Sequence, residues 1–187
     1  LGKLLEVDLD WKMIYEKERY EHLIIDVILQ QTVVDPTRFL IGVTNEQGLF
    51  VVNSEPRTYG LDHSDREWFR FQQSADTDRL YIAKTMISRS SGKAVIPLSR
   101  RINKSDGSFG GVVHTSLDTE YFSSIFSKLE MPYGSVISLN GTDGSIRFRQ
   151  FQKQSDYGQD IRGGEIWKQI QADPFGSRVA VGVTDGV

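Results

Sequence analysis

Three groups of residues in this chain could carry chemistry: the histidines, a serine–lysine pair and an arginine–tryptophan motif. His22, His63 and His114 are too widely spaced for a local metal site, and none belongs to an H-E-x-x-H helix. Ser90 and Lys93 have the S-x-x-K spacing of some acyl-enzymes, but the surrounding Ser-Ser-Gly run predicts a hairpin tip rather than a buried helix. The sequence therefore predicts no catalytic residue, no metal site and no cofactor.

The arginine–tryptophan motif indicates binding instead. Arg66, Trp68 and Phe69 lie in a short segment that predicts a helix. The planar guanidinium of arginine can meet a carboxylate with two hydrogen bonds, and tryptophan can form the wall of a pocket. Two structural roles stay open: a salt bridge from Arg66 to Asp62 or Asp65, and a place in the core for Trp68.

A second group of polar residues lies on a predicted strand. His114, Ser116 and Asp118 alternate with more apolar residues, so the three share one face and we expect that face to line a polar hollow. His114 could bond a ligand or be a buried structural histidine. We expect Tyr81 at the rim, and one arginine of the Arg100-Arg101 pair must point toward the pocket side.

Apolar spacing and turn residues indicate the elements that position these groups. A long amphipathic helix is predicted between Asp10 and Gln31, and a helix over residues 66–71 has Ser64 or Asp65 as its N-cap. The predicted strands are 39–44, 49–53, 80–88, 94–102, 110–117, 135–139, 145–151 and 178–183. Two more helices are predicted, over 120–129 with Thr119 as cap and over 165–171. The second set of hairpins resembles the first, which indicates a weak internal repeat.

Bulk composition limits the class of protein. The chain has 187 residues, is 39% hydrophobic and 25% charged, has a net charge of −3 and contains no cysteine. These values suit a globular protein, exclude a disulfide scaffold and give no reason to expect a nucleic-acid partner. No apolar run approaches the roughly 20 residues that span a bilayer. We therefore expect the soluble part of a larger protein.

The segments DREWF, LYIAKTMISRSSGKAVIPLSRRINKSDGSFGGVVHTSLDTEYF and GSVISLNGTDGSIRFR resemble the double Cache sensor domain. Such domains are tandem PAS-like modules outside the membrane in bacterial histidine kinases, diguanylate cyclases and chemoreceptors. The resemblance implies an α+β fold with antiparallel sheets: a long N-terminal helix over 1–35, a membrane-distal ligand-binding unit over 36–126 and a membrane-proximal unit over 127–187.

The resemblance also implies ligand-binding residues. In members that bind amino acids, an Arg-x-Trp-aromatic motif holds the carboxylate, and Arg66, Trp68 and Phe69 match it. The tyrosine and the aspartate of those members fall on Met86 and near Ser116 here. The carboxylate half of the motif is therefore present and the ammonium half is missing, which argues against an ordinary α-amino acid as ligand.

These observations predict a periplasmic or extracellular sensing domain of an inner-membrane protein. A small metabolite, such as a carboxylate, would bind the distal unit and shift the long helix, and a cytoplasmic diguanylate cyclase or histidine kinase would respond. We expect a homodimer in the intact receptor, anchored only by flanking transmembrane helices. The alternative is a dimerisation module that binds no ligand.

Overall fold

The structure is a computed structural model that describes residues 39–54, 56–75, 79–151 and 154–176. The predicted N-terminal helix over 1–35 and the predicted strand over 178–183 lie outside these ranges. The chain divides into two compact units, the first ending at Asp118 and the second beginning at Thr119. Within the described residues, no helix is long and apolar enough to cross a membrane.

The first unit is built on one antiparallel sheet. Its strands are β1 (Phe39–Thr44), β2 (Phe50–Asn53), β3 (Tyr81–Ile82), β4 (Met86–Ile87), β5 (Ala94–Asn103) and β6 (Phe109–Asp118), with a 3-10 turn at Pro56–Thr58. The order across the sheet is β2-β1-β6-β5-β3, and β4 also pairs with β5. In the central β5–β6 hairpin, Ser99 pairs with His114 and Pro97 with Ser116. Because side chains alternate along a strand, all four belong to one face of the sheet.

Helix α1 (Glu67–Ser74) packs on that face. Its buried residues Trp68, Phe69 and Gln72 point inward. The amide nitrogen of Gln72 donates to the Ser99 carbonyl at 2.9 Å and to the Arg79 carbonyl at 3.0 Å. At the end of α1, the Arg101 guanidinium donates to the free carbonyls of Gln72 and Gln73. Polar bonds thus hold both the middle and the end of the helix against β5.

Gly111 allows β1 and β6 to approach closely. Its φ is +145°, and a Cβ there would lie 2.0 Å from the carbonyl oxygen of Thr44. Only glycine fits such a position without moving the neighbouring backbone. In the same pair of strands, Gly42 of β1 lies opposite His114.

Two local predictions were wrong. The predicted strand over 80–88 is two short strands, because residues 83–85 lie opposite only two residues of β5, one of which is Pro97. Proline has no N–H for the ladder, so the pairing shifts by one residue there. The N-cap of α1 is Arg66 rather than Ser64 or Asp65, and Arg66 makes no side-chain capping bond.

The second unit is a smaller α+β structure. It contains α2 (Thr119–Phe126), β7 (Val136–Asn140), β8 (Ile146–Phe151), β9 (Gln154–Asp156) and α3 (Glu165–Ala172), and its antiparallel sheet has the order β7-β8-β9. Rings of Phe122 and Phe126 from α2 pack on Phe148 of β8, each with centroids 5.7 Å apart. The predicted helix near 165–171 is present. The α+β class with antiparallel sheets is confirmed for the described residues.

Candidate functional site

A cleft opens in the first unit between the start of α1, the face of β5 and β6, and the turn that follows β4. It has about 300 Å³ of empty space, counting the part that is open to solvent. Its described lining consists of Leu40, Phe50, His63, Arg66, Trp68, Met86, Ile87, Ser88, Arg89, Ser90, Val95, Pro97, His114 and Ser116. No carboxylate belongs to this lining.

Four rings occupy the buried end of the cleft. Trp68 stacks on His114 with centroids 4.5 Å apart, and Phe50 packs on His63 at 4.2 Å. Phe50 and His114 are also close, at 5.4 Å. The rings leave enclosed room for little more than a water molecule. A ligand must therefore use the open end of the cleft or move the turn after β4.

Arg66 lies at the open end with weak partners only. Its guanidinium is 3.5 Å from the sulfur of Met86 and 3.4 Å from the carbonyl of Ile87. Among the described residues it forms no ion pair. Burial lowers the pKa of the Arg66 guanidinium, and the positive charge of Arg89 lowers it further. A half-buried cation with such partners is suited to receive an anion.

The acids near Arg66 have other partners. Asp65 forms two hydrogen bonds with the Arg89 guanidinium, at 2.7 and 2.9 Å, which lower the pKa of its carboxyl. Asp62 accepts the backbone N–H of Ser64 at 2.8 Å. The salt bridge that the sequence left open for Arg66 is therefore made by Arg89 instead. That ion pair also ties the turn after β4 to the start of α1.

The position of Arg66 works against helix stability. An N-cap residue normally accepts a hydrogen bond from the first turn, and arginine has no acceptor. Its positive charge also lies at the positive end of the helix dipole. Departures from local rules are found mostly at functional sites, where stability is given up for binding. Folding of α1 therefore does not account for an arginine at this position.

The two buried histidines of the cleft are held neutral. Burial lowers the pKa of His114 to about 3, with a smaller effect from His63. Burial also lowers the pKa of His63 to about 4, helped by the charges of Arg66 and Arg89. Both pKa values are below the ordinary 6.5, so at pH values below 6.5 the unfolded chain binds protons that the folded chain does not bind. The free energy of unfolding must therefore fall as pH falls below 6.5.

We expect the free energy of unfolding to fall by about 3 kcal/mol between pH 7 and pH 5 through these two residues, about 2 kcal/mol of it through His114. His63 contributes less, because solvent screens its charge near the open end. Urea unfolding of the wild type and of a His63→Gln/His114→Gln variant at both pH values measures the effect. An equal loss of stability in the two proteins would contradict the neutral burial of the pair.

Five of the eight residues predicted for the site line the cleft: Arg66, Trp68, Met86, His114 and Ser116. The other three lie elsewhere. Phe69 packs on Phe109 in the core, with centroids 5.6 Å apart. Tyr81 stacks on Phe71 and donates its hydroxyl to Glu67 at 2.7 Å. Asp118 pairs with Lys93 at 2.9 Å.

The arginine pair of β5 is also placed. Arg101 is on the α1 side, where it reaches the end of the helix and lies over the Phe109 ring at 4.8 Å. Arg100 precedes it on the strand and faces the other side of the sheet. Neither is among the residues that line the cleft.

Sequence reasoning missed His63 and Phe50 as parts of the cleft. His63 is three residues before Arg66, and the Gly60–Ser64 loop returns beside β2, where the His63 N–H donates to the Gly48 carbonyl. The signal was the position of His63 just before the arginine motif. From the sequence, His63 was tested only as a possible metal ligand, so its place in the cleft was missed. Among the described residues, no group of three or more His, Asp or Glu side chains could hold a metal ion.

Comparisons with known proteins gave no match by sequence: no family model matches the chain, and no curated protein matches it. Solved structures are similar in fold. The extracellular domain of rpHK1S-Z16, assigned as a histidine kinase, has a TM-score of 0.71 and 24% identity, over 100% of this chain and 82% of that domain. An extracellular ligand-binding receptor from Desulfohalobium retbaense has a TM-score of 0.62 and 15% identity, over 95% of this chain and 34% of that protein.

The sensory domain of the Campylobacter jejuni chemoreceptor Tlp3 is also similar. That structure contains isoleucine and has a TM-score of 0.56 and 15% identity, over 78% of this chain and 58% of that domain. These similarities confirm that the chain has the α+β fold of extracellular sensor domains, as the resemblance of its sequence implied.

Proposed function

We propose that this chain is the extracytoplasmic sensing domain of a transmembrane signalling protein, and that its cleft binds a small anion such as a carboxylate. The observation that carries the proposal is Arg66: a half-buried guanidinium in the cleft, without an ion pair among the described residues, placed where it weakens its own helix. The fold supports the sensing role, because its structural neighbours are extracellular sensor domains.

The ligand we propose has no ammonium group. An ammonium ion in a partly buried site needs an acidic partner. The described lining of the cleft contains two arginines and two histidines and no carboxylate. Isoleucine bound to Tlp3 is therefore a poor guide to the ligand of this chain, although its carboxylate illustrates the group that Arg66 would hold.

The signal would pass from the distal unit, proposed over 36–126, to the segment 1–35 and the proximal unit over 127–187. Binding would favour one of two packings, and a coupling of about 1–3 kcal/mol is typical of such linkage. In the intact receptor we propose a homodimer with a cytoplasmic diguanylate cyclase or histidine kinase as output. The domain itself would bind its ligand without turning it over.

A thermal-shift screen tests the proposal. Small carboxylates and sulfonates, amino acids and neutral polyols are compared at equal concentration. We expect some carboxylates to raise the melting temperature by about 5 °C at roughly 100 times the dissociation constant. The matching amines and polyols should have no effect. A shift with amines alone, or with nothing in the set, would contradict the proposal.

One observation favours a second role. The four rings nearly fill the buried end of the cleft, as they would in a dimerisation module that binds no metabolite. In that case the screen would be silent and the protein would associate as its concentration increases. Sedimentation of the unliganded protein distinguishes this role from sensing.

A further inference from the structure

His63 and His114 are buried side by side, and the proposed role of Arg66 does not account for the burial of these two rings in the cleft. Their ring centroids are 6.4 Å apart, and both rings line the cleft. Nε2 of His114 is 3.1 Å from the Ser116 hydroxyl. Both nitrogens of His63 and Nδ1 of His114 have no hydrogen-bond partner among the described residues. Buried polar atoms without partners are costly, which indicates that something else completes their bonding.

Burial, helped by the charges around the pair, explains why no proton is bound in the empty cleft. Arg66 at the start of α1 and Arg89 in the turn after β4 both act on His63. Asp62 and Asp65 oppose them, but Asp65 is paired with Arg89. His114 is affected by His63 alone among charged neighbours, and the residues paired with it on the sheet are Gly42 and Ser99. An imidazolium here would meet positive charge without a carboxylate beside it.

We propose that the cleft takes up its anion together with a proton, which His63 or His114 then holds as an imidazolium beside the bound anion. The inference rests on the proposed anion-binding function. The proton comes from solvent and adds to a free ring nitrogen, and the new N–H donates to an anion oxygen. The anion offsets the positive field that Arg66 and Arg89 exert on His63, and it places a negative charge beside the ring that it contacts. Both effects raise the pKa of a histidine in the occupied cleft above its value in the empty one.

Proton linkage determines how the affinity for the anion depends on pH. Because the bound state holds more protons than the free state, affinity must rise as pH falls, by up to tenfold per pH unit for one proton. The effect ends at low pH, where the free protein is already protonated. A receptor with this cleft would respond to the same anion more strongly in acidic surroundings.

Calorimetric titration measures the proton directly. Sodium formate and sodium methanesulfonate are used as probes at pH 5.5, 6.5 and 7.5, because both stay ionised over this range. Each titration is repeated in two buffers of different ionisation enthalpy. We expect between about half a proton and one proton taken up per anion at pH 6.5 and an affinity several-fold higher at pH 5.5 than at pH 7.5.

His63→Gln and His114→Gln keep a neutral polar group at each position and are expected to reduce the pH dependence. An NMR experiment on the wild type does not depend on whether these variants fold. The ring signals of His63 and His114 are followed as a function of pH, with and without saturating methanesulfonate. We expect at least one histidine pKa to rise from its low value in the free protein, about 4 for His63, to about 6.5 or above with the anion bound.

The outcomes separate this inference from the function on which it rests. If binding depends on Arg66 but has the same affinity at every pH and the same enthalpy in both buffers, proton uptake is overturned and anion sensing stands. Failure of both probes and of every carboxylate to bind at any pH would overturn the anion site itself, and proton uptake with it.

Discussion

Replacing Trp68 with alanine is expected to lower the free energy of unfolding by about 3–5 kcal/mol. Trp68 is only 2% exposed and belongs to the core cluster with Phe50, Phe69 and Val112. Its ring also stacks on His114. The substitution removes a large apolar area and leaves a cavity between α1 and the sheet, and both effects destabilise the protein. Trp68 is thus both core residue and wall of the cleft.

Urea unfolding measures this loss, with Phe71→Ala as the matched control. Phe71 is on the same helix and stacks on Tyr81, but it is only half-buried. The control variant is expected to cost about 1–2 kcal/mol. A loss for Trp68→Ala no greater than that for Phe71→Ala would show that the helix does not pack on the sheet as described.

The sheets could be predicted because their signals are local. Alternating apolar residues and turns with glycine, such as Asn45–Gly48, were sufficient to place β1, β2, β5 and β6. The break in the strand over 80–88 could not be found in that segment, because its cause is Pro97 on the neighbouring strand. Local sequence predicts an element, but the partner of that element determines where it is interrupted.

The same reason limits what could be predicted of the site. Arg66, Trp68 and His114 were found from residue type and from alternation. The ring cluster was not, because Phe50, His63, Trp68 and His114 come from four separate segments that only the folded chain brings together. The N-cap was misplaced because Asp65, which would ordinarily be a good cap, is held by Arg89, 24 residues away.

Replacing Arg66 with serine is expected to weaken anion binding by at least about 30-fold while raising the free energy of unfolding by about 1 kcal/mol. Affinity falls because the substitution removes a charge-assisted hydrogen-bond partner of a partly buried anion. Removing such a partner costs about 2 kcal/mol of binding free energy or more. The free energy of unfolding rises because a serine side chain at this N-cap can accept a hydrogen bond from the first turn of α1, and an arginine side chain cannot. A residue retained only for structure would not give these opposite effects.

Arg70→Ser is the control for lost charge. Arg70 is exposed on the same helix, and its Nε donates to the Ser64 carbonyl at 3.3 Å, outside the lining of the cleft. This variant is expected to bind the anion within about twofold of the wild type, because a solvated charge has only a screened effect at that position. Urea unfolding of both variants provides the stability comparison.

In the function proposed for this chain, Arg66 holds a small anion in the cleft of the first unit. The decisive experiment is a calorimetric titration of the wild type, Arg66→Ser and Arg70→Ser. The ligand is the carboxylate that raises the melting temperature most in the thermal-shift screen. We predict that Arg66→Ser alone loses binding, although it is the most stable of the three proteins. Equal affinities for Arg66→Ser and the wild type would show that Arg66 does not hold the anion.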